Sequence, residues 1–196
     1  MKRCLLLLFA LIGFISYSQD KELDSINSPL ASKKHEIKTD VLSLVTLGRA
    51  GLSYEYFVSN KLSFGVGAYM FNKSKKVDEF RYDTNETLTE YQIIPYVRYI
   101  LSKSHINHYY IEAFTSINGG KYKSLEKVID NSTASYYYIV DKKKYSDVAL
   151  GLSAGYKVYI KEKISLDLFV GMGKNLFNDN SPKNISRIGL NVGYRF

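Results

Sequence analysis

Few residues of this chain are equipped for acid–base or nucleophilic chemistry. The three histidines are His35, His105 and His108, and Ser104 and Glu112 lie close to the last two. A His, a Ser and a carboxylate is the combination that hydrolyses esters, so this is the one place where catalysis is conceivable. No nucleophile elbow, phosphate-cradling glycine loop or metal-ligand spacing occurs. The single cysteine, Cys4, can form no internal disulfide. The reading is therefore of no catalytic residue, no metal site and no cofactor, and a solvated or structural role for the histidines.

Two other polar sets are larger. Lys38, Asp40, Glu55, Glu90, Arg98, Glu112, Lys157, Asp167, Arg187 and Arg195 recur at alternate positions within hydrophobic stretches, five acidic and five basic. Charges on a buried face must be paired or hydrated, so these predict either a structural ion-pair network or a path for protons and small ions. The second set lies in Gly119 to Ser146, where Lys121, Lys123, Lys127, Lys142, Lys143 and Lys144 outnumber Glu126, Asp130 and Asp141, a surplus of +3, around Tyr136, Tyr137 and Tyr138.

The elements that would position these residues follow a period of two. Arg187 to Phe196 alternates over ten residues, with Ile188, Leu190, Val192, Tyr194 and Phe196 on one face. The same period runs through Gly51 to Val58, Leu62 to Met70, Val148 to Ile160 and Ile164 to Met172. Glu36 to Leu44, Glu90 to Leu101 and Tyr109 to Asn118 complete eight strands, with Pro95 awkward because proline removes a ladder hydrogen bond. Ser59-Asn60, Ser102 to His108 and Lys161 to Lys163 read as short turns at one end. Asn72 to Thr89, Gly119 to Ser146 and Lys174 to Ser186 read as longer loops at the other, with Leu47 to Ala50 a short exception.

Composition sets the boundaries. The chain has 196 residues, with 18 Tyr, 13 Gly and a net charge of +8. Met1-Lys2-Arg3 followed by the apolar run from Cys4 to Tyr17 has the anatomy of a secretory signal peptide, residues 1–18. Its removal discards Cys4 and lowers the charge to +6. Residues 19–34 are polar, contain Pro29, and read as a flexible lead-in. No later stretch reaches the 18 or so apolar residues of a spanning helix, which leaves a β-barrel as the possible membrane form.

Period two alone does not say which face meets water. The face opposite the aliphatic one carries Gly51, Gly65, Gly67, Gly151, Gly155, Gly171, Gly173, Gly189 and Gly193. Glycine on a water-facing strand surface weakens the strand for no gain, whereas an eight-stranded lumen is only just wide enough for its own side chains. The aliphatic face, almost free of charge, then points outward. Ten residues at about 3.3 Å each, tilted about 40°, span roughly the 25 Å of a membrane-barrel belt. Phe57, Tyr69, Tyr96, Phe114, Tyr159 and Phe169 fall inside and argue against an open pore. Tyr54, Tyr56, Tyr91, Tyr99, Tyr109, Tyr156 and Tyr194 fall near outward strand ends, where interfacial aromatics belong.

The terminal segment ending in Tyr194-Arg195-Phe196, with Asn191 where glycine is common, resembles the C-terminal insertion signal of bacterial outer-membrane proteins. With Leu52-Ser53-Tyr54-Glu55-Tyr56 and Pro95-Tyr96-Val97-Arg98-Tyr99, the chain from about His35 resembles the small OmpA/OmpX-like outer-membrane β-barrel families, including those of undefined function. That resemblance implies an all-β, eight-stranded antiparallel up-and-down transmembrane barrel over residues 35–196, built by the outer-membrane assembly machinery, and no ligand. A peptidoglycan-binding domain of the OmpA type is not expected.

The resulting expectation is a non-enzymatic outer-membrane protein with a plugged lumen, serving envelope structure or surface interaction. The alternatives are a lipid A deacylase-like enzyme, a narrow channel and, further off, a secreted soluble ligand-binding barrel. The turn from Ser104 to Asn107 is expected in the periplasm, the wrong side for acting on outer-leaflet lipid. The expected partners are outer-membrane lipid and lipopolysaccharide, with the lysines of the 119–146 segment on lipid phosphates and its tyrosines extending a hairpin or forming an adhesive surface. Nucleic acid is not expected, because the lumen charges balance and the surplus is local.

Overall fold

The computed structural model describes residues 29–71, 87–104, 106–130 and 135–196. The expected signal peptide and residues 19–28 lie outside these, as does His105. Eight strands close into one barrel in chain order, each antiparallel to its neighbours, with β8 paired back to β1. They are β1 (His35–Asp40), β2 (Arg49–Phe57), β3 (Leu62–Phe71), β4 (Thr87–Ile100), β5 (Asn107–Asp130), β6 (Ser135–Ile160), β7 (Ile164–Asn175) and β8 (Asn184–Arg195). Closure leaves no sheet edge unpaired around the wall. Both described termini and the three short turns share one end of the barrel. Among the described residues no helix is long and apolar enough to cross a membrane, which says nothing of strands.

The side chains invert the pattern of a water-soluble protein. Met172 is 74% exposed and Leu152 69%, with Leu52, Val66, Val97, Leu168, Val170 and Ile188 also facing out. Lys38 and Lys157 are 1% exposed and Asp40 and Asp167 fully buried. Inside, Phe57, Tyr69, Tyr96, Phe114, Tyr159 and Phe169 are buried as expected, and Ile94, Ile100 and Tyr110 join them.

The inward glycines make room for these rings. A Cβ on Gly65 would lie 2.2 Å from the Tyr96 ring carbon bearing the hydroxyl, and one on Gly155 would lie 2.3 Å from the Tyr110 hydroxyl. Gly65 and Gly155 are thus the vacancies that the cross-strand rings of Tyr96 and Tyr110 fill.

Four expectations need correction. The first strand ends at Asp40 rather than Leu44, and Val41–Leu47 is a short helix. Asp40 caps it, accepting from the Ser43 N–H at 3.0 Å, and Gly48 closes it in the left-handed conformation at φ 59°. The flexible lead-in is also shorter than expected. Pro29–Ser32 form a helical turn, Leu30 is buried, and the Lys34 carbonyl accepts from the Phe57 N–H at 2.8 Å.

The third correction is the segment read as a loop from Gly119 to Ser146, of which residues 119–130 and 135–146 are strand. Among the described residues, β5 and β6 stay in register from Asn107↔Val158 out to Asp130↔Ser135, while β4 follows β5 to Tyr122 and β7 follows β6 to Ala149. The outer part is therefore a two-stranded hairpin rising above the wall, as the tyrosine-extended alternative anticipated. The fourth is Glu90, which a register shift between Thr89 and Tyr91 turns away from the lumen.

Pro95 keeps its register with Val66 on β3, but pairing with β5 lapses between Ile93↔Ile117 and Tyr96↔Phe114. A groove of about 820 Å³ lies beside it in the outer wall, between Phe64, Val97, Ala113, Leu150 and Leu152.

Candidate functional site

Alternation on seven strands delivers eight ionised side chains to one level of the lumen: Glu36 and Lys38 from β1, Glu55 from β2, Arg98 from β4, Glu112 from β5, Lys157 from β6, Asp167 from β7 and Arg187 from β8. Ser63 supplies the contact from β3. Four are acidic and four basic, and salt bridges link them without a break.

Glu55 is the hub. One carboxylate oxygen accepts from Lys38, from Lys157 at 2.9 Å and from Arg98 at 3.2 Å, and the other accepts from Ser63 at 2.6 Å. Asp167 accepts from Arg98 at 2.8 Å, from the Tyr110 hydroxyl at 2.6 Å and from Asn191 at 3.4 Å. Asn191, where the insertion signal commonly has glycine, thus joins the network. Glu36 takes Lys157 at 3.0 Å, Ser165 at 2.9 Å and Tyr159 at 2.7 Å. Glu112 bridges Arg98 at 2.6 Å and Arg187 at 2.7 Å. Rings cover the cations: Arg98 lies 4.1 Å from the Tyr110 centroid and Arg187 4.4 Å from that of Phe114.

The other expected lumen residues stand apart from this core. Asp40 faces Arg49 at 3.3 Å nearer the hairpin end, and Arg49 lies 4.3 Å from the Tyr69 centroid. Arg195 closes the opposite end. Its guanidinium lies 3.6 Å from the Phe57 centroid and donates to the carbonyls of Lys33 at 2.8 Å and Leu30 at 3.1 Å and to the Tyr159 hydroxyl at 2.9 Å. Glu90 pairs at the rim with Lys121 at 2.9 Å. Of the ten expected residues, seven form the core. Glu36, which completes it, has the same parity as Lys38 and Asp40 and was legible from that alone. Arg49 was hidden because its segment read as a link.

Among the described residues, which leave out His105, the ester-hydrolysing combination is not assembled. The Ser104 hydroxyl oxygen accepts the N–H groups of Ile106 and Asn107, and both carboxylate oxygens of Glu112 are engaged by arginines. His108 is buried edge-on against Tyr159 at 5.2 Å, and His35 packs at the surface on Phe196 and meets the Tyr54 hydroxyl at 2.6 Å.

At the hairpin end, Asp147 organises a loop. It accepts from the Phe177 N–H at 3.0 Å, the Asn178 N–H at 3.2 Å, the Val148 N–H at 2.6 Å and the Ser181 hydroxyl. Burial pushes this carboxyl upward, but the Ser181 and backbone donors outweigh it and hold it below the usual aspartate value. No sequence signal marked Asp147 beyond its parity with the inward face. In the expected patch, Lys121 pairs across the hairpin with Lys144, Tyr122 with Lys143, Lys123 with Lys142 and Lys127 with Tyr138, while Tyr137 and Tyr136 face Val128 and Ile129 in register.

An antiparallel eight-stranded barrel with an apolar outer wall and an ionic filling is the architecture of the small outer-membrane β-barrels. The chain belongs to the family described as Protein of unknown function (DUF3575), whose model matches residues 6–194. Among solved structures it is similar to the N-terminal β-barrel domain of OprF from Pseudomonas aeruginosa, at 13% identity and a TM-score of 0.54 over 84% of this chain and 98% of that one. It also matches Neisserial surface protein A, at 15% identity and a TM-score of 0.49 over 83% and 95% of the two chains. A third match is Ail, the attachment invasion locus protein of Yersinia pestis, at 11% identity and a TM-score of 0.46 over 84% and 99%. At such identities the likeness to OprF is one of fold. No curated protein matches the chain.

Proposed function

We propose that this protein is a non-enzymatic outer-membrane β-barrel whose lumen is closed by an ion-pair plug, and that it serves envelope structure or surface interaction by holding the β5–β6 hairpin above the membrane. The observation that carries this reading is the inversion of polarity, with methionines and leucines exposed around the wall and lysines and carboxylates sealed within. In water such a wall would aggregate, because exposed apolar patches of a few hundred Å² are already rare on soluble monomers. In lipid it is the stable face.

The termini and tight turns then lie in the periplasm and the hairpin outside the cell. Ile188, Leu190, Val192, Tyr194 and Phe196, on the outer face of β8, serve as the insertion signal for the assembly machinery. Arg98 and Glu55 bridge the lumen among bulky rings, so solutes have no continuous route. The test is threefold: outer-membrane fractionation, a heat-dependent shift in gel mobility, and planar-bilayer recording. Membrane recovery, a shift and no stepwise current are expected; a soluble protein or resolved single-channel steps would overturn the reading.

A further inference from the structure

The β5–β6 register sets like charges directly opposite one another: Lys121 faces Lys144 and, two residues further out, Lys123 faces Lys142. Strand alternation places all four on the face continuous with the outer wall, since Ile117 and Leu150 on the same strands face out and Tyr145, Asp147 and Ala149 face in. Opposed residues of an antiparallel pair sit about 5 Å apart and like charges there repel. Glu90 offsets part of this at Lys121.

The position is as telling as the charge. Lys121 lies four residues beyond Ile117, an exposed aliphatic of β5, or roughly 10 Å higher once about 3.3 Å per residue is corrected for strand tilt. The rung between is Gly119↔Ser146, and the Tyr91 ring lies over Gly119, with its hydroxyl 2.5 Å from where a Cβ would stand. An amphipathic ring below and flexible ammonium stems above define a headgroup layer. From this geometry we propose that Lys121, Lys123, Lys142 and Lys144 bind the phosphate groups of membrane-lipid headgroups in the leaflet from which the hairpin rises. The inference rests on the membrane reading given above.

The test uses the full mature protein refolded in neutral detergent, with native mass spectrometry of complexes formed with bisphosphorylated lipid A, dephosphorylated lipid A or inorganic phosphate. The variant K121Q/K123Q/K142Q/K144Q is compared with its all-arginine counterpart, and both are first required to show the heat-dependent mobility of a closed barrel. Bisphosphorylated lipid A is expected to bind at least tenfold more weakly to the glutamine variant and as well to the arginine variant as to the original. Dephosphorylated lipid A is expected to bind all three weakly and alike. Equal binding of the phosphorylated lipid to the glutamine variant overturns the site, and so does equal binding of the dephosphorylated lipid to the original protein. Displacement by millimolar phosphate overturns the lipid as ligand. A protein that forms no barrel in detergent defeats the membrane reading instead, so the two failures are distinct.

Discussion

Arg98 and Asp167 meet at 2.8 Å although two strands, β5 and β6, separate theirs around the wall. The contact therefore crosses the lumen, and with Lys38 and Lys157 converging on Glu55 it ties opposite sides of the barrel together. Such a network costs solvation to bury, and its geometry must return that cost. The return is lost when one partner is removed.

Glu55→Leu tests this. It leaves Lys38, Lys157 and Arg98 without their shared carboxylate, and losses of about 3–5 kcal/mol are typical for breaking a buried pair. Urea unfolding in detergent, followed by gel mobility, is expected to show that loss, and a change below about 1 kcal/mol would show that the network is dispensable.

Gly65→Ala tests the packing of the lumen. The added carbon would meet the Tyr96 ring at 2.2 Å and the Tyr54 carbonyl at 2.7 Å. Overpacking of this kind costs about 1–3 kcal/mol. Adding Tyr96→Leu is expected to recover part of the loss, since one of the two clashes disappears; the double variant falling by the sum of the single losses would contradict it.

The Asp147 loop carries a pH dependence. The folded carboxyl titrates below its ordinary value, so its contribution is complete above the unfolded pKa of about 3.9 and disappears as pH falls through the lower folded value. Hydrogen exchange at the N–H groups of Phe177 and Asn178, corrected for intrinsic rates, is expected to show protection holding at pH 5 to 7 and falling only in the more acid range. Asp147→Asn is expected to remove that acid limb.

The β6–β7 turn is improvable. Lys161 and Glu162 occupy the left-handed region at φ 50° and 54°, as the two central residues of a turn closed by the Lys163 N–H on the Ile160 carbonyl at 3.3 Å, and Asn-Gly tolerates those angles best. K161N/E162G is expected to raise stability by about 1–2 kcal/mol, read as a higher urea midpoint. The Glu162 carbonyl that accepts from Lys33 at 2.7 Å belongs to the backbone and survives the change.

Much of the architecture follows from local rules. Period two on segments such as Arg187 to Phe196 dictates strands, and glycine opposite aliphatic residues dictates which face is inside, because both depend only on neighbours one or two residues away. The helix over Val41–Leu47 was legible in the same way, from Asp40 before it and Gly48 after it, but the apolar residues Val41, Leu42 and Leu44 directly after a strand read as its continuation and masked the caps.

Other features depend on residues distant in sequence. Parity placed Glu55, Arg98 and Asp167 inside, yet which carboxylate takes which cation is fixed by barrel closure, which brings Arg98 to Asp167 and to Glu55, 69 and 43 positions away. Parity also failed at Glu90, where the register shift on β4 sends the side chain to the rim, because a bulge is set by the partner strand. The lysines were visible as a basic run. Only the β5–β6 register set Lys121 against Lys144 and Lys123 against Lys142, turning a charge surplus into a four-cornered patch above an apolar wall.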